Sequence, residues 1–255
     1  MQKISAVIIT KNGEKLIKQV LESVKWCDET VIVDSGSADR TLEICRQYNC
    51  RIFTKEFNGF GEQKKFAVER ASNDWILSID SDEIVTEELK KEIQTELGGN
   101  NQNYAGYYLP ISLFFFGRLM RFGGSHIKKK LRLFNRNYGN FNNNKVHESV
   151  ELKGQIGQLQ NGIMHYSYDS IYEYFKKFNS YTQTAAEELA RGNKRKSFYV
   201  IALRFPFEFF KRYFLQLGIF DGKAGFIWSL FCAFYPVVKY LKVLELHNRY
   251  AKKCI

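Results

Sequence analysis

The sequence predicts an α/β fold, a mostly parallel sheet followed by a helical C-terminal extension, over its 255 residues. Three observations predict it. Through the first hundred residues, continuous apolar runs alternate with amphipathic stretches of helical spacing. Such β-α units belong to sheets covered on both faces. The middle of the chain changes to shorter strand-like runs. The last quarter is aromatic and basic: residues 192–255 hold 12 Lys and Arg against 3 Asp and Glu, and so carry +9 of a formal net charge of +11. Hydrophobic residues make up 45% of the chain, enough for a substantial core, which excludes a disordered polyelectrolyte.

The elements follow in order. "SAVIIT" (5–10) reads as a buried strand, and "GEKLIKQVLESV" (13–24) as a helix with Leu16, Val20, Leu21 and Val24 inward. "TVIVD" (30–34) is the second strand. "ADRTLEICRQY" (38–48) is a helix with Asp39 as its cap and Leu42, Ile44 and Cys45 inward. "CRIFT" (50–54) is the third strand, "GEQKKFAVERA" (61–71) a helix and "WILSID" (75–80) the fourth strand. In "TEELKKEIQTEL" (86–97), Thr86 is suited to the N-cap, with Glu87 and Glu88 in the first turn. The loop "LGGNNQN" (97–103) closes this section. "YAGYYLPISLFFFG" (104–117), "KKLRLFN" (129–135), "VHESVEL" (146–152) and "QIGQLQNGIMHYSY" (155–168) then predict an antiparallel or mixed extension of the sheet. "IYEYFKKFNSYTQTAAEELA" (171–190) is an amphipathic helix, with Ile171, Tyr174, Phe175, Phe178, Tyr181, Ala185 and Leu189 on one face. Two aromatic, basic helices parted near "GIFDGKAG" (218–225) finish the chain. The expected division is 1–100, 101–168 and 169–255, and there is no internal repeat.

The five cysteines, Cys27, Cys45, Cys50, Cys232 and Cys254, are odd in number and lack metal-ligand spacing. Free thiols in a reducing compartment are expected. "MQKISAVIIT" reads as a strand and not as a signal peptide. The longest uncharged apolar run, residues 224–238, is shorter than the ~20 residues that span a bilayer and contains Pro236. No transmembrane helix is predicted.

Ligands of parallel sheets bind beyond the carboxyl ends of the strands. The fourth strand ends in Asp80-Ser81-Asp82-Glu83, three carboxylates in four residues. Asp80 and Asp82 can converge on one point where the strand gives way to a loop, as a hard divalent cation requires. A solvated turn is the competing reading, and Glu83 is assigned to the start of the next helix. Asp34 ends the second strand in "VIVDSGSADRT", where it can accept hydrogen bonds from a nucleobase or ribose, or form an Asx-turn. Thr10, Lys11 and Asn12 end the first strand in the same manner. Polar groups at three strand ends on one edge are harder to explain as turns than any one of them alone.

"AVIITKNGEKLIKQVLESV", "VIVDSGSADRT" and "DWILSIDSDE" resemble the nucleotide-sugar-binding half of the family 2 glycosyltransferases, which have the GT-A fold. The resemblance implies that Asp80 and Asp82 bind a metal, Mg²⁺ or Mn²⁺, with the sugar-nucleotide diphosphate, and that Asp34 contacts the base. "FNGFGEQKKFAVERA", "KKLRLFNR", "VHESVEL" and "YFLQLGIFDGKAG" are similar to the subgroup that adds glucose to the inner core of bacterial lipopolysaccharide or lipooligosaccharide. That subgroup has Gln-Lys-Asn near residue 63. Here Lys65 replaces the Asn, and Lys64 is kept as a phosphate or base contact. Glu148 falls where the family places its catalytic carboxylate, with His147 in support; a strand-edge salt bridge to Lys145 or Arg132 is the alternative. Arg132 and Arg136 offer bidentate forks for the diphosphate or an acidic acceptor. His165 either completes a metal shell or is a hydrogen-bonded structural histidine.

The implied enzyme is an inverting, metal-dependent glycosyltransferase moving glucose from UDP-glucose to a lipid-linked core saccharide. A D-x-D phosphohydrolase with Asp80 as nucleophile, and a non-enzymatic membrane or nucleic-acid binder, are the alternatives. The basic, aromatic "FYVIALRFPFEFFKRYFLQLGIF" (198–220) suits an anionic membrane surface. The expected place is therefore cytoplasmic, peripheral on the inner face of the cytoplasmic membrane. No nucleic-acid motif is present to favour that partner, and packing against a second copy of the chain is compatible with the aromatics.

Overall fold

The computed structural model describes residues 2–99, 103–124, 128–142, 148–168, 170–192 and 196–253. The chain divides into two compact units, Met1–Ser112 with Ile127–Tyr166, and Leu113–His126 with Ser167–Ile255.

The first unit begins with β1 (Ile4–Thr10), α1 (Glu14–Val24), β2 (Glu29–Asp34), α2 (Thr41–Gln47), β3 (Arg51–Thr54), α3 (Phe60–Arg70) and β4 (Trp75–Asp80). It continues through β5 (Glu83–Val85), α4 (Glu87–Gly98) and β6 (Gly106–Phe115). The end of β6 and the short β7 (Arg118–Leu119) that pairs with it belong to the second unit. The first unit then adds β8 (Lys128–Asn135), β9 (Gly139–Phe141), β10 (Val150–Leu152), β11 (Ile156–Gln158) and β12 (Ile163–His165).

The sheet runs β3-β2-β1-β4-β8-β6-β12-β5. β3, β2, β1 and β4 are parallel, whereas β8 is antiparallel to both β4 and β6. β9 and β10 form a separate hairpin. The predicted parallel sheet with a mixed extension is thus observed. Every residue of β1 is buried, as its unbroken apolar run requires. Ile4, Ala6 and Ile8 pack with Ile17, Val20, Leu21, Leu89 and Ile93 from α1 and α4. Val7 and Ile9 pack on the other face with Ala67 and Val68 of α3. In α1 it is Ile17 that is buried, with the expected Leu16 only half-buried. Thr86 caps α4 as predicted, its hydroxyl accepting the Leu89 amide at 3.1 Å.

The parallel register sets the functional edge. Thr10 lies beside Asp34, Asp34 beside Thr54, and Ile9 beside Asp80. The three strand ends singled out in the sequence therefore do share one edge.

The second unit contains α5 (Ile171–Arg191), α6 (Phe198–Phe210) and α7 (Gly222–Lys253). Leu113, Phe115 and Met120 join Tyr174, Phe178, Ala224 and Phe231 in its core. The buried stripe of α5 is Tyr174, Phe178, Thr182 and Ala186, not the predicted face through Ala185 and Leu189. Ile171, Phe175 and Tyr181 are exposed. Thr182 tolerates burial because its hydroxyl donates to the Phe178 carbonyl at 2.8 Å. Asp221 is also buried, its carboxylate accepting the amides of Arg121 and Phe122.

α7 bears on the expectation that no segment here is long and apolar enough to cross a membrane. It runs 32 residues straight through Pro236. Residues Gly218–Asn248, which include an 18-residue window of mean hydropathy 1.4, are long and apolar enough to cross a membrane by length and composition, a property that core helices of soluble proteins share.

Candidate active site

The site is built where β4 ends. Its backbone turns at Ser81 and Asp82 into β5, so Asp80 and Glu83 flank a tight reversal. β8 runs antiparallel beside β4 and brings in Arg132, which is 2% exposed. Arg132 Nη2 lies 2.6 Å from Asp80 Oδ2 and 2.7 Å from Glu83 Oε1. Glu83 also accepts the backbone amide of Asp80 at 3.0 Å through Oε2. Far from merely favouring the start of α4, Glu83 is a buried clamp on both Asp80 and Arg132.

α3 supplies the second cation. Its inward face carries Gln63 and Lys64 next to Ala67 and Val68. Lys64 Nζ lies 2.8 Å from Asp80 Oδ1 and 2.8 Å from Glu148 Oε1. Lys64 thus bridges the strand-end carboxylate and the carboxylate expected to act as base. Glu148 Oε2 has no hydrogen-bond partner among the described residues. His147 and Lys145 lie outside the described residues.

Burial and charge compete here. Burial would raise the pKa of Asp80, but the charges of Arg132 and Lys64 outweigh it and hold this carboxyl well below the usual range. For Glu83, burial prevails over the attraction of Arg132 and pushes its pKa up. Burial disfavours the charged guanidinium of Arg132, yet Asp80 and Glu83 raise its pKa above the ordinary arginine value.

Asp82 points elsewhere. Its Oδ2 lies 3.3 Å from His165 Nε2, both side chains being about one-third exposed. β12 pairs antiparallel with β5, setting His165 opposite Glu83, and the Tyr166 amide donates to the Asp82 carbonyl at 2.8 Å. Burial lowers the His165 pKa, but the Asp82 hydrogen bond and the charges of Asp82, Glu83 and Asp80 raise it above the ordinary imidazole value.

The remaining predicted contacts sit on the same edge. Asp34 is buried and forms the Asx-turn: Oδ2 accepts the amides of Gly36 and Ser37, each at 2.9 Å, and Oδ1 pairs with the Ser37 hydroxyl. Gly36 has φ +85°, a conformation the turn assigns to glycine. Asn12 accepts the Ala38 amide at 2.9 Å through Oδ1, and its own backbone amide donates to the Ser37 hydroxyl at 2.8 Å, tying this turn to the end of β1. Thr10 Oγ1 is buried without a hydrogen-bond partner among the described residues. So is Gln63 Oε1, although its amide nitrogen donates to Ser35 Oγ and the Lys55 carbonyl at 2.9 Å. Buried orphan acceptors call for a ligand or water.

Arg136 does not join the site. β8 is antiparallel to β4, so its far end lies at the start of β4, the opposite edge of the sheet. There Arg136 Nη1 donates to the Val68 and Ala71 carbonyls at the end of α3. Sequence reasoning left Glu83 and Gln63 without site roles. The signal for Gln63 was its place beside Lys64 on α3. For Glu83 the signal was only its adjacency to Asp82.

Among the described residues no group of three or more His, Cys, Asp or Glu side chains converges at metal distance. Asp82 and His165 could hold Mg²⁺ or Mn²⁺ as two protein donors. This fits a cation that draws its other ligands from a substrate diphosphate and water. Asp80 fits direct ligation less well, since both oxygens are already ion-paired. The same pairing argues against Asp80 as a phosphohydrolase nucleophile. Three carboxylates, Asp80, Glu83 and Glu148, meet the two permanent cations Lys64 and Arg132, and Asp82 stands on His165 beside them. A divalent cation would offset the negative excess.

Comparison with known proteins agrees in kind. Residues 5–146 match the family model described as glycosyl transferase family 2. An uncharacterised glycosyltransferase of Rickettsia typhi is 32% identical over 96% of this chain and 88% of its own length. The lipopolysaccharide core biosynthesis glycosyltransferase LpsC of Rhizobium meliloti is 29% identical, covering 96% of this chain and 93% of its own. Among solved structures, Staphylococcus aureus TarS matches with a TM-score of 0.43 and 19% identity, over 73% of this chain and 40% of that one.

Proposed function

Because the chain belongs to glycosyl transferase family 2, and is thus a glycosyltransferase of GT-A fold with a helical C-terminal region, we propose that it inverts the anomeric centre of a hexose as it moves it to a lipopolysaccharide core saccharide. The donor in this reading is UDP-glucose. The observation that carries the reading is the Lys64 bridge between Asp80 and Glu148, beside the Asp82–His165 pair. The core-biosynthesis relative LpsC supports the acceptor class.

Asp82 and His165 would hold the divalent cation, with Asp80 behind them as a charge fixed by Lys64 and Arg132. When bound, that cation neutralises the departing nucleoside diphosphate, so no general acid is required. Lys64 is placed to meet diphosphate oxygens as well as carboxylates. Thr10, Asn12, Asp34 and Gln63 would line the nucleoside end. Glu148 takes the proton of the acceptor hydroxyl as that oxygen attacks the anomeric carbon. Lys64 holds it through Oε1, which leaves Oε2 to receive the proton.

The second unit would place the enzyme on the cytoplasmic side of an anionic membrane, where a lipid-linked acceptor lies. α6 exposes Tyr199, Leu203, Phe207 and Phe210, and the same stretch carries Arg204 and Lys211. An apolar face with flanking cations matches an anionic lipid interface. Self-association through α6 is the competing occupant, and sedimentation of the lipid-free protein reports it.

Transfer of labelled glucose from UDP-glucose to heptose-terminated core lipopolysaccharide tests the reaction. We expect turnover that EDTA abolishes and that Asp82→Ala removes. Turnover indifferent to both would remove the metal from the mechanism.

A further inference from the structure

Within the second unit, α5, α6 and α7 line an open cavity of 310 Å³. That lies at the lower end of the ~300–1,000 Å³ usual for small-ligand pockets. Tyr168, Tyr174, Trp228 and Tyr235 line it together with Glu208 and Arg212. The aromatic rings brace one another: Tyr168 and Tyr174 meet edge to face at 4.9 Å between centroids, and Trp228 lies 6.4 Å from Tyr168.

Its polar groups are not satisfied from within. Glu208 and Arg212 stand four residues apart, the spacing at which a helical acid and arginine ordinarily pair. Here they form no ion pair, and the Glu208 carboxylate has no partner among the described residues. The helix widens into a π turn at Lys211–Leu215, where Arg212 Nη1 donates to the Gly123 carbonyl at 3.2 Å. Such π turns concentrate at functional sites. Arg212 Nε and Trp228 Nε1 are both buried without a hydrogen-bond partner among the described residues.

We propose that this cavity binds a pyranose ring, and is a saccharide site in the helical unit additional to the strand-end site. A sugar offers apolar C–H faces to Tyr and Trp rings, and hydroxyls that both donate and accept. Glu208 would accept from hydroxyls, and Arg212 and Trp228 would donate to them. An acyl chain would leave all three groups unpaired at a cost. A quaternary ammonium would suit the rings and Glu208, but Arg212 would repel it. The site needs neither donor nucleotide nor metal, so it stands or falls apart from the reaction proposed above.

Saturation-transfer NMR on the full chain, without nucleotide or metal, tests this with the methyl glycosides of glucose, galactose and mannose. At least one should show saturation. Its affinity should fall roughly tenfold or more in Glu208→Gln, as loss of a charged hydrogen bond predicts, and also in Trp228→Phe. Asp82→Ala should leave it unchanged, and circular dichroism and melting should show both cavity variants folded. Saturation from none of the glycosides would overturn the proposal. So would undiminished binding in both folded cavity variants, or occupancy by choline or octanoate that no glycoside displaces.

Discussion

Among the described residues Arg132 heads the large fully buried side chains, and it is charged. A guanidinium is tolerated there because two carboxylates meet it. Removing it would strand both of them, so Arg132→Met should destabilise the protein by about 3–5 kcal/mol, measured as a urea-unfolding midpoint. Glu148→Gln tests chemistry instead of folding. We expect kcat to fall by about 10²–10⁴-fold, the usual worth of a general base, with UDP affinity retained in a direct titration. A fall in UDP affinity with kcat retained would make Glu148 a binding group. Most of the site was legible as residues: Asp34, Lys64, Asp80, Asp82, Arg132 and Glu148 were all singled out. Their connections were not. That Lys64 joins Asp80 to Glu148 depends on α3 and a loop 84 residues further along the chain meeting. Glu83 looked like a helix-start acid because its burial is imposed by β8, almost fifty residues away. Arg136 looked like the twin of Arg132, but antiparallel pairing carries it to the other edge of the sheet.

Elements were legible where their pattern was local. β1, β2 and β4 show mainly apolar, buried runs, and α4 shows its cap in Thr86-Glu87-Glu88. Residues whose contacts are remote were harder to place. The inward face of α5 is offset because Thr182 back-bonds into its own helix and can be buried. α7 is longer than its uncharged run because Lys239 and Lys242 sit within the helix, Lys242 donating to Asn179 at 2.7 Å. The lower end of the sheet has its own charge anchor. Glu29 on β2 accepts from Ser5, the Ser72 amide and hydroxyl, and Arg51. Burial would raise its pKa, but these bonds outweigh that and lower it to about 2. A carboxylate whose pKa is lower folded than unfolded stabilises the fold above its unfolded value of ~4.3, and that stabilisation is lost as pH falls toward the folded value. The urea midpoint of Glu29→Gln should therefore lie below that of the parent at pH 6, with the gap narrowing at pH 3. On α6, Leu203 and Phe207 are 69% and 64% exposed. Leu203→Glu with Phe207→Glu should leave the melting temperature in place and weaken co-sedimentation with anionic vesicles. Unchanged vesicle binding would mean that α6 is not the docking face.

At the scale of the whole molecule, the sequence separates two kinds of charge. Residues 192–255 hold most of the net positive charge, whereas the strand-end site has an excess of carboxylates. The first arrangement suits an anionic surface, the second a cation and the diphosphate it accompanies. The parallel register brings Asp34 and Asp80 to one edge of the sheet. In the proposed mechanism Asp82 and His165 are the groups that hold a cation with its nucleotide. Calorimetric titration of UDP, with and without Mn²⁺, tests this most directly. UDP binding should require Mn²⁺ in the parent and be lost in Asp82→Ala, with that variant still folded. UDP binding of equal strength without the metal, or undiminished in Asp82→Ala, would contradict it.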